Sequence, residues 1–312
     1  KPRYGKGSKH KVECPICGRA RAKSTGRKGF YLFMAGPHHY VGQLVLTIPE
    51  DHPLSYNTFE SREKAFENLY ALAKRFVDAY FKGCGFRMVV HSWSTKNPLC
   101  LPHWHIHVLI NLVKFVQGKP IMCSGHRSDL EIRGMRRLWA DLLSIPLHDS
   151  NLYYNFTFTG RHDRWIIKAH GPDQHIKGVE TLRHWCNYDT RTAVCDIDEW
   201  LKKNNDPSDL SPDQKEWYAF HVDPIRNNFH RVRWFGGLSN SNRSAYLLKL
   251  GSHLDLVKEA IRQDLEESKR LYCWLCRTEL NPMGWEWHQG LICRKYFAKS
   301  NDDWNRYRDL VT

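Results

Sequence analysis

Runs of apolar residues with two different periods predict strands and helices in alternation along the chain. The apolar run at 41–48 predicts a strand that ends before Pro49, and apolar positions at helical spacing predict a helix over 61–81. The runs at 86–93 and 105–113 are β-branched and apolar, and they predict two strands that can pair antiparallel across a Pro-containing connection.

The second half of the chain continues this irregular pattern. We predict a helix at 128–143, a hairpin from strands at 152–159 and 165–169, a helix at 179–192, a last strand at 230–235 and a mostly helical stretch at 243–269. Strands, hairpins and helices mixed in this order favour an α+β fold, in which helices flank an antiparallel central sheet. Neither of the standard Gly-rich phosphate loops occurs in the sequence.

Changes in composition predict three regions. Residues 1–40 are basic, rich in Gly, Lys and Arg, and carry one Cys pair, which indicates a small N-terminal arm. Residues 41–235 form the main domain, and residues 236–312 form a helical C-terminal region with a second Cys pair.

The charge balance predicts a nucleic-acid partner. The chain of 312 residues has 47 Lys and Arg against 33 Asp and Glu, a formal charge of +14. Such an excess attracts polyanions, and the aromatic residues interleaved with it suit the unstacked bases of a single strand. No apolar stretch is long enough to span a bilayer and no signal peptide is evident, so we expect a soluble, cytoplasmic protein without a membrane partner.

The segment PHWHIH at 102–107 carries the strongest chemical signal. On a strand, alternate side chains share a face, so His103, His105 and His107 point the same way and two of them can chelate one metal ion. His91, on the neighbouring predicted strand, reaches the same ion if the two strands pair. Glu50 is a weaker candidate for a third ligand.

A hydroxyl nucleophile that a metal can assist occurs on the helix predicted at 179–192. His184, Tyr188 and Arg191 are spaced to share one helical face. Forming a phenolate at pH 7 costs about 4 kcal/mol, which a cation such as Arg191 helps to offset. Tyr246, with Lys249 three residues later, is the alternative nucleophile.

These motifs together resemble the HUH endonucleases, which include rolling-circle replication initiators and single-strand DNA transposases. The similarity lies in QLVLTIP at 43–49, in VVHSW at 89–93 followed by the histidine segment, and in YDTRTAV at 188–194. The resemblance implies a metal held by His105 and His107, with His91 as third ligand and His103 outside the motif. It also implies Tyr188 as nucleophile, and it ranks Tyr246 second because that residue follows the tyrosine helix.

The resemblance further implies the function. Residues 41–235 would be a nicking domain that cleaves and rejoins single-stranded DNA at a replication origin or element end, using Mg²⁺ or Mn²⁺ and a 5′-phosphotyrosine intermediate. Some relatives have two tyrosines, but His184 occupies the first position here, which leans toward a plasmid replication initiator. A transposase is the first alternative, and a non-catalytic zinc-containing nucleic-acid-binding protein is the second.

The spacing of cysteines predicts small zinc-binding elements in place of disulfides. A closed structural Zn²⁺ site is expected from Cys273, Cys276, His288 and Cys293. In the alternative arrangement, Cys14 and Cys17 join Cys273 and Cys276 in one four-Cys site.

Overall fold

A computed structural model of the chain describes residues 15–35, 40–53, 62–94, 96, 98–99, 103–158, 174–193, 196–197, 200, 210–215, 232–249, 271–272 and 279–280. The predicted strand at 165–169 lies outside these residues, as do Cys14, Cys273, Cys276, His288, Cys293 and the side chain of Cys17. The zinc sites therefore stay a prediction.

Five strands form the central sheet, and every neighbouring pair in it is antiparallel. They are β1 (Tyr40–Thr47), β2 (Gly85–His91), β3 (His105–Asn111), β6 (Leu152–Phe158) and β7 (Val232–Phe235). Their order across the sheet is β6-β1-β3-β2-β7, so β3 lies at the centre. The short hairpin of β4 (Val113–Val116) and β5 (Lys119–Met122) follows β3. A separate two-stranded ribbon pairs β8 (Leu271–Tyr272) with β9 (Glu279–Leu280).

Beside two 3₁₀ helices at Leu147–Asp149 and Gly236–Leu238, the structure gives the full bounds of five α-helices. They are α1 (Pro15–Met34), α2 (Arg62–Tyr80), α3 (Asp129–Leu143), α4 (Gln174–Asp189) and α5 (Arg243–Lys249). The predicted α+β class with an antiparallel central sheet is confirmed, and each predicted element that falls on described residues overlaps an observed helix or strand. The helix predicted at 179–192 is displaced: it begins at Gln174 and ends at Asp189, so Arg191 lies beyond the helix and not on its face as predicted. None of the described helices has the length and apolar character needed to cross a membrane.

One side of the sheet, here called the core face, packs against α2 and α3. The even-numbered residues of β3, such as Ile106 and Val108, lie in one buried cluster with the apolar stripe of α2, including Phe76. Local signals fix the bounds of α3: Ser128 and Glu131 form a capping box, and Ser144 ends the helix in the left-handed conformation. The core face is therefore a conventional hydrophobic core.

The other side, here called the histidine face, is covered by α1 and α4. Leu109 of β3 packs there with Phe33 of α1 and Leu182 of α4. The sequence pattern did not predict α1, because Gly, Lys and Arg are frequent between residues 18 and 29 and no apolar stripe at helical spacing runs through them. Gly26 and Gly29 let its backbone approach α4 and Arg87: a Cβ at Gly29 would lie 2.2 Å from Nη1 of Arg87. Residues 15–34, predicted as part of an arm, thus form a helix against the sheet.

Candidate metal centre

The antiparallel pairing of β2 and β3 brings three histidines together on the histidine face. His91 lies directly opposite His105 in the register, and His107 follows two residues later on the same face of β3. All three side chains are buried. The strand pairing on which the prediction for His91 depended is therefore observed, and it brings His91 beside the histidine pair; that the three residues bind a metal stays a prediction.

The three imidazoles form a compact cluster. Their ring centroids are 4.6 Å apart for His91 and His107, 4.8 Å for His105 and His107, and 5.2 Å for His91 and His105. One candidate ligand atom from each lies within 4.8 Å of the others, close enough for one metal ion to bind all three. Glu50, the weaker candidate, is exposed and is not part of this cluster.

Each imidazole also has one nitrogen that faces a protein oxygen. Nε2 of His91 donates to the main-chain carbonyl of Asp189 at 2.7 Å, and Nδ1 of His105 donates to that of His103 at 2.9 Å. Nδ1 of His107 lies 3.4 Å from Oδ1 of Asp189, within ion-pair range but without a formed hydrogen bond. With hydrogen on these nitrogens, each ring keeps a lone pair for a metal ion on its other nitrogen.

The donor set fits a divalent cation. Nε2 of His107 is buried and has no hydrogen-bond partner among the residues that the structure describes. Leaving such an acceptor unsatisfied costs about 1–3 kcal/mol, which coordination would offset. Three imidazoles without a fourth ligand from the described residues match a site that keeps a position open for water or substrate.

Burial keeps the imidazoles of His105 and His107 neutral, as metal ligation requires. It lowers the pKa of His107 to about 3, with the Arg87 guanidinium acting in the same direction. Burial likewise lowers the pKa of His105 well below its ordinary value, and the neighbouring His107 adds to that effect. Desolvation raises the pKa of Asp189 to about 6, although Arg87 opposes the rise.

Tyr188 lies beside this cluster. It occupies the second-last position of α4, and its ring centroid is 5.5 Å from that of His107 and 6.4 Å from that of His91. The exposed ring of His184, one turn earlier, stacks on it at 6.0 Å. Tyr188 is half-buried, so the cluster and a partly accessible phenol share one site.

Arg191, the other residue predicted to act with Tyr188, is held by a buried carboxylate. Its Nη2 lies 2.8 Å from Oδ1 of Asp196, and Trp93 donates from Nε1 to Oδ2 of the same carboxylate at 2.8 Å. Trp93 in turn stacks on His91 at 4.4 Å. Arg191 therefore sits at the edge of the site in a fixed orientation, with a negative charge beside it.

The alternative nucleophile, Tyr246, is placed differently. It is buried in α5, where its hydroxyl donates to the main-chain carbonyl of Val113 at 3.0 Å and its ring packs on Phe115. Val113 follows the end of β3 that is farther from His105. Burial raises the pKa of Tyr246, which makes its phenolate harder to form. These contacts are those of a packing residue.

Sequence reasoning missed three charged residues at the site, namely Arg87, Asp189 and Asp196. Arg87 and Asp189 are completely buried and their side chains approach to 3.3 Å. One signal was available: Arg87 is a lone cation in the otherwise apolar strand pattern of β2, and an unpaired charge there requires a buried partner. Asp189 gave no such signal, because a polar residue at a helix end is usually solvated.

No family model, no curated protein and no solved structure matches this chain, so the site is interpreted from its own residues and geometry.

Proposed function

We propose that this protein nicks and rejoins single-stranded DNA, with Tyr188 as the nucleophile and a divalent metal, Mg²⁺ or Mn²⁺ in function, held by His91, His105 and His107. The observation that carries this proposal is the position of a half-buried tyrosine 5.5 Å, ring to ring, from a three-histidine cluster. In biological terms we propose a rolling-circle replication initiator, and a single-strand DNA transposase is the alternative that uses the same chemistry.

Two properties of the site support phosphoryl transfer. A metal bound by the histidines would polarise the scissile phosphate as a Lewis acid. On the protein side, the last turn of α4 holds the Tyr188 ring beside the histidine cluster, which supports attack by its phenol on a phosphate bound there.

The reaction conserves the energy of the phosphodiester bond. The Tyr188 oxygen forms a bond to phosphorus and the phenol proton passes to solvent, while the bond from phosphorus to the 3′ oxygen breaks and that oxygen takes up a proton from solvent. The departing strand ends in a 3′-hydroxyl and the other strand carries a 5′-phosphotyrosine. A later 3′-hydroxyl can reverse the attack and reseal the DNA.

The formal charge of +14 supports a polyanionic substrate. At the site itself, Arg191 is positioned beside the tyrosine helix, but its pairing with Asp196 leaves less positive charge there for a phosphate. We therefore propose that Arg191 helps to orient the bound strand rather than to neutralise its charge.

One observation favours a second candidate function. All three histidines are buried, which is also typical of a structural zinc site in a non-catalytic nucleic-acid-binding protein. The two candidates differ in whether Tyr188 becomes covalently attached to DNA.

The test uses a randomised pool of single-stranded oligonucleotides labelled at the 3′ end, incubated with the full chain and Mn²⁺. The 3′ label stays on the fragment that carries the new 5′-phosphotyrosine, so an adduct appears as labelled protein on a denaturing gel. Wild type is compared with Tyr188→Phe and with Tyr246→Phe, which removes a phenol outside the site.

An adduct that forms in wild type and Tyr246→Phe but not in Tyr188→Phe supports the proposed nucleophile. An adduct retained by Tyr188→Phe refutes it. Metal and DNA binding without any adduct favours the structural-zinc candidate.

A further inference from the structure

Asp189 contacts two of the three histidines in two different ways. Its carboxylate oxygen Oδ1 lies 3.4 Å from Nδ1 of His107, and its main-chain carbonyl accepts a hydrogen bond from Nε2 of His91 at 2.7 Å. It is also the last residue of α4 and follows Tyr188 directly. One residue thus joins the histidine cluster to the end of the tyrosine helix.

Asp189 and Arg87 form a buried pair that stability alone does not explain. Both side chains are fully buried, with Nη2 of Arg87 3.3 Å from Oδ2 of Asp189. Nε and Nη1 of Arg87 have no hydrogen-bond partner within the described residues, and Gly29 leaves room for this guanidinium. Replacing a buried ion pair by apolar residues of similar volume is often neutral or stabilising, so its presence suggests a role in the site.

We propose that Asp189 is a positioning residue for the metal centre: its carboxylate, held by Arg87, orients His107, and its carbonyl orients His91. This inference rests on the proposed metal site and extends it to the residues behind the ligands. A carboxylate that accepts the Nδ1 hydrogen of His107 leaves the lone pair on Nε2, the atom available to a metal.

The same arrangement links metal binding to the placement of the nucleophile. Because Asp189 is covalently next to Tyr188, a shift of the α4 terminus moves the groups that contact His91 and His107 together with the phenol. By reciprocity, a metal that fixes the imidazoles also fixes the end of α4. Metal affinity therefore reports the role of Asp189 without any measurement of DNA cleavage.

The opposing interpretation is that Asp189 and Arg87 only attach α4 to β2. Both interpretations predict lower stability when Asp189 is changed. Only the positioning role predicts weaker metal binding by the molecules that remain folded. Loss of such an outer partner of a ligand typically weakens metal binding 10–100-fold.

The experiment titrates Co²⁺, whose visible absorption reports its ligands, into the full chain and its variants under conditions where each is folded. The variants are Asp189→Ala, which removes the acceptor, and Asp189→Asn, which keeps an uncharged one. Phe76→Leu is the matched control, because it lowers stability from the core face without contact with the cluster. Circular dichroism establishes the folded fraction of each protein.

We expect the Co²⁺ dissociation constant to rise about 10–100-fold in Asp189→Ala, to rise less in Asp189→Asn, and to stay unchanged in Phe76→Leu. If Asp189→Ala does not fold, Asp189→Asn decides the question alone. Wild-type affinity and an unchanged spectrum in a folded Asp189 variant would overturn the positioning role.

This outcome is separable from that of the proposed function. The DNA adduct tests Tyr188 as the nucleophile, whereas Co²⁺ binding tests the residues that hold the metal and orient its ligands. Weak Co²⁺ binding by Asp189→Ala supports positioning even if no DNA adduct is ever found. Absence of Co²⁺ binding by wild type would refute the metal site and the positioning role together.

Discussion

The two faces of the central sheet are built from the same strands but differ in chemistry. Along β3, Ile106 and Val108 point to the core face, whereas His105 and His107 point to the histidine face. The core face buries apolar side chains against α2 and α3. The histidine face buries imidazoles, a guanidinium and a carboxylate against α1 and α4.

Within one strand, the residues that stabilise the fold are therefore different from those that form the candidate site. Apolar burial on the core face supplies the free energy of folding, at roughly 25 cal/mol for each Å² removed from water. That energy allows the histidine face to hold a polar atom such as Nε2 of His107, which has no hydrogen-bond partner in the described part of the chain and which a bound cation would satisfy. Changes on the two faces should therefore have different consequences.

The largest expected effect on stability comes from the core face. Ile106→Ala should lower the free energy of unfolding by about 2–5 kcal/mol, because it leaves a cavity between β3 and α2. Ile106→Val should cost only about 0.5–1.5 kcal/mol. Urea unfolding measures both. Comparable losses of unfolding free energy in the two variants would show that the core face tolerates a cavity. That result would weaken the comparison between the core face and the histidine face.

The next effect concerns the stabilisation of the protein by metal. Mn²⁺ at 100 times its dissociation constant should stabilise wild type by about 2.7 kcal/mol. His107→Ala should lose this gain, because it removes one of the three ligands. The exposed neighbour His184 provides the control, because His184→Ala should keep the stabilisation by Mn²⁺. Thermal unfolding with and without Mn²⁺ gives the comparison, and an equal metal shift in His107→Ala would contradict the site.

The stability of the metal-free protein should also depend on pH through the histidine face. Because the folded-state pKa values of His105 and His107 are lowered, the unfolded chain gains protons below pH 6.5 that the folded chain does not. His107, with a folded-state pKa of about 3, should therefore cost about 2 kcal/mol of stability at pH 5, and His105 acts in the same direction. The raised pKa of Asp189, about 6, acts in the opposite direction. As the pH falls from 6 toward 4, the folded state binds a proton at Asp189 before the unfolded state does, which stabilises the folded state.

Urea unfolding in the presence of EDTA, measured at pH 7 and pH 5, tests this balance between the two histidines and Asp189. The two histidines outweigh the one carboxyl group, so wild type should be less stable at pH 5. His107→Gln should lose less stability between the two pH values, and Asp189→Asn should lose more. The same pH dependence in all three proteins would contradict the assignment.

The smallest expected effect concerns the reactivity of thiols. Here the more reactive group is expected on the core face and the less reactive one on the histidine face. Cys123 packs against the core face, where a hydrogen bond from Cys84 and the charges of Lys114 and Arg127 lower its pKa to about 6. Cys186 on the histidine face has its pKa raised to about 12 by burial. Iodoacetamide at pH 7 followed by peptide mapping should modify Cys123 well before Cys186. Faster modification of Cys186 would show that the histidine face is more accessible than its burial indicates.

Local patterns were sufficient to predict much of the fold. The apolar periods located α2, α3, α4 and the strands of the sheet that fall on described residues. They did not locate α1, since its glycines and charges resemble those of a loop until the contact with α4 is known. Nor did they predict the short hairpin of β4 and β5, which turns at Gln117 and Gly118, both with positive φ.

For the site, the sequence by itself determined that His105 and His107 share a face, because side chains alternate along a strand whatever its neighbours are. Only the tertiary structure decided that His91 lies opposite His105, that Tyr188 and not Tyr246 adjoins them, and that Arg191 pairs with Asp196. It also placed Asp189 between Arg87 and His107. The physical reason is that such contacts join residues as far as 102 positions apart. Their geometry depends on strand register and helix packing, which local periodicity does not specify.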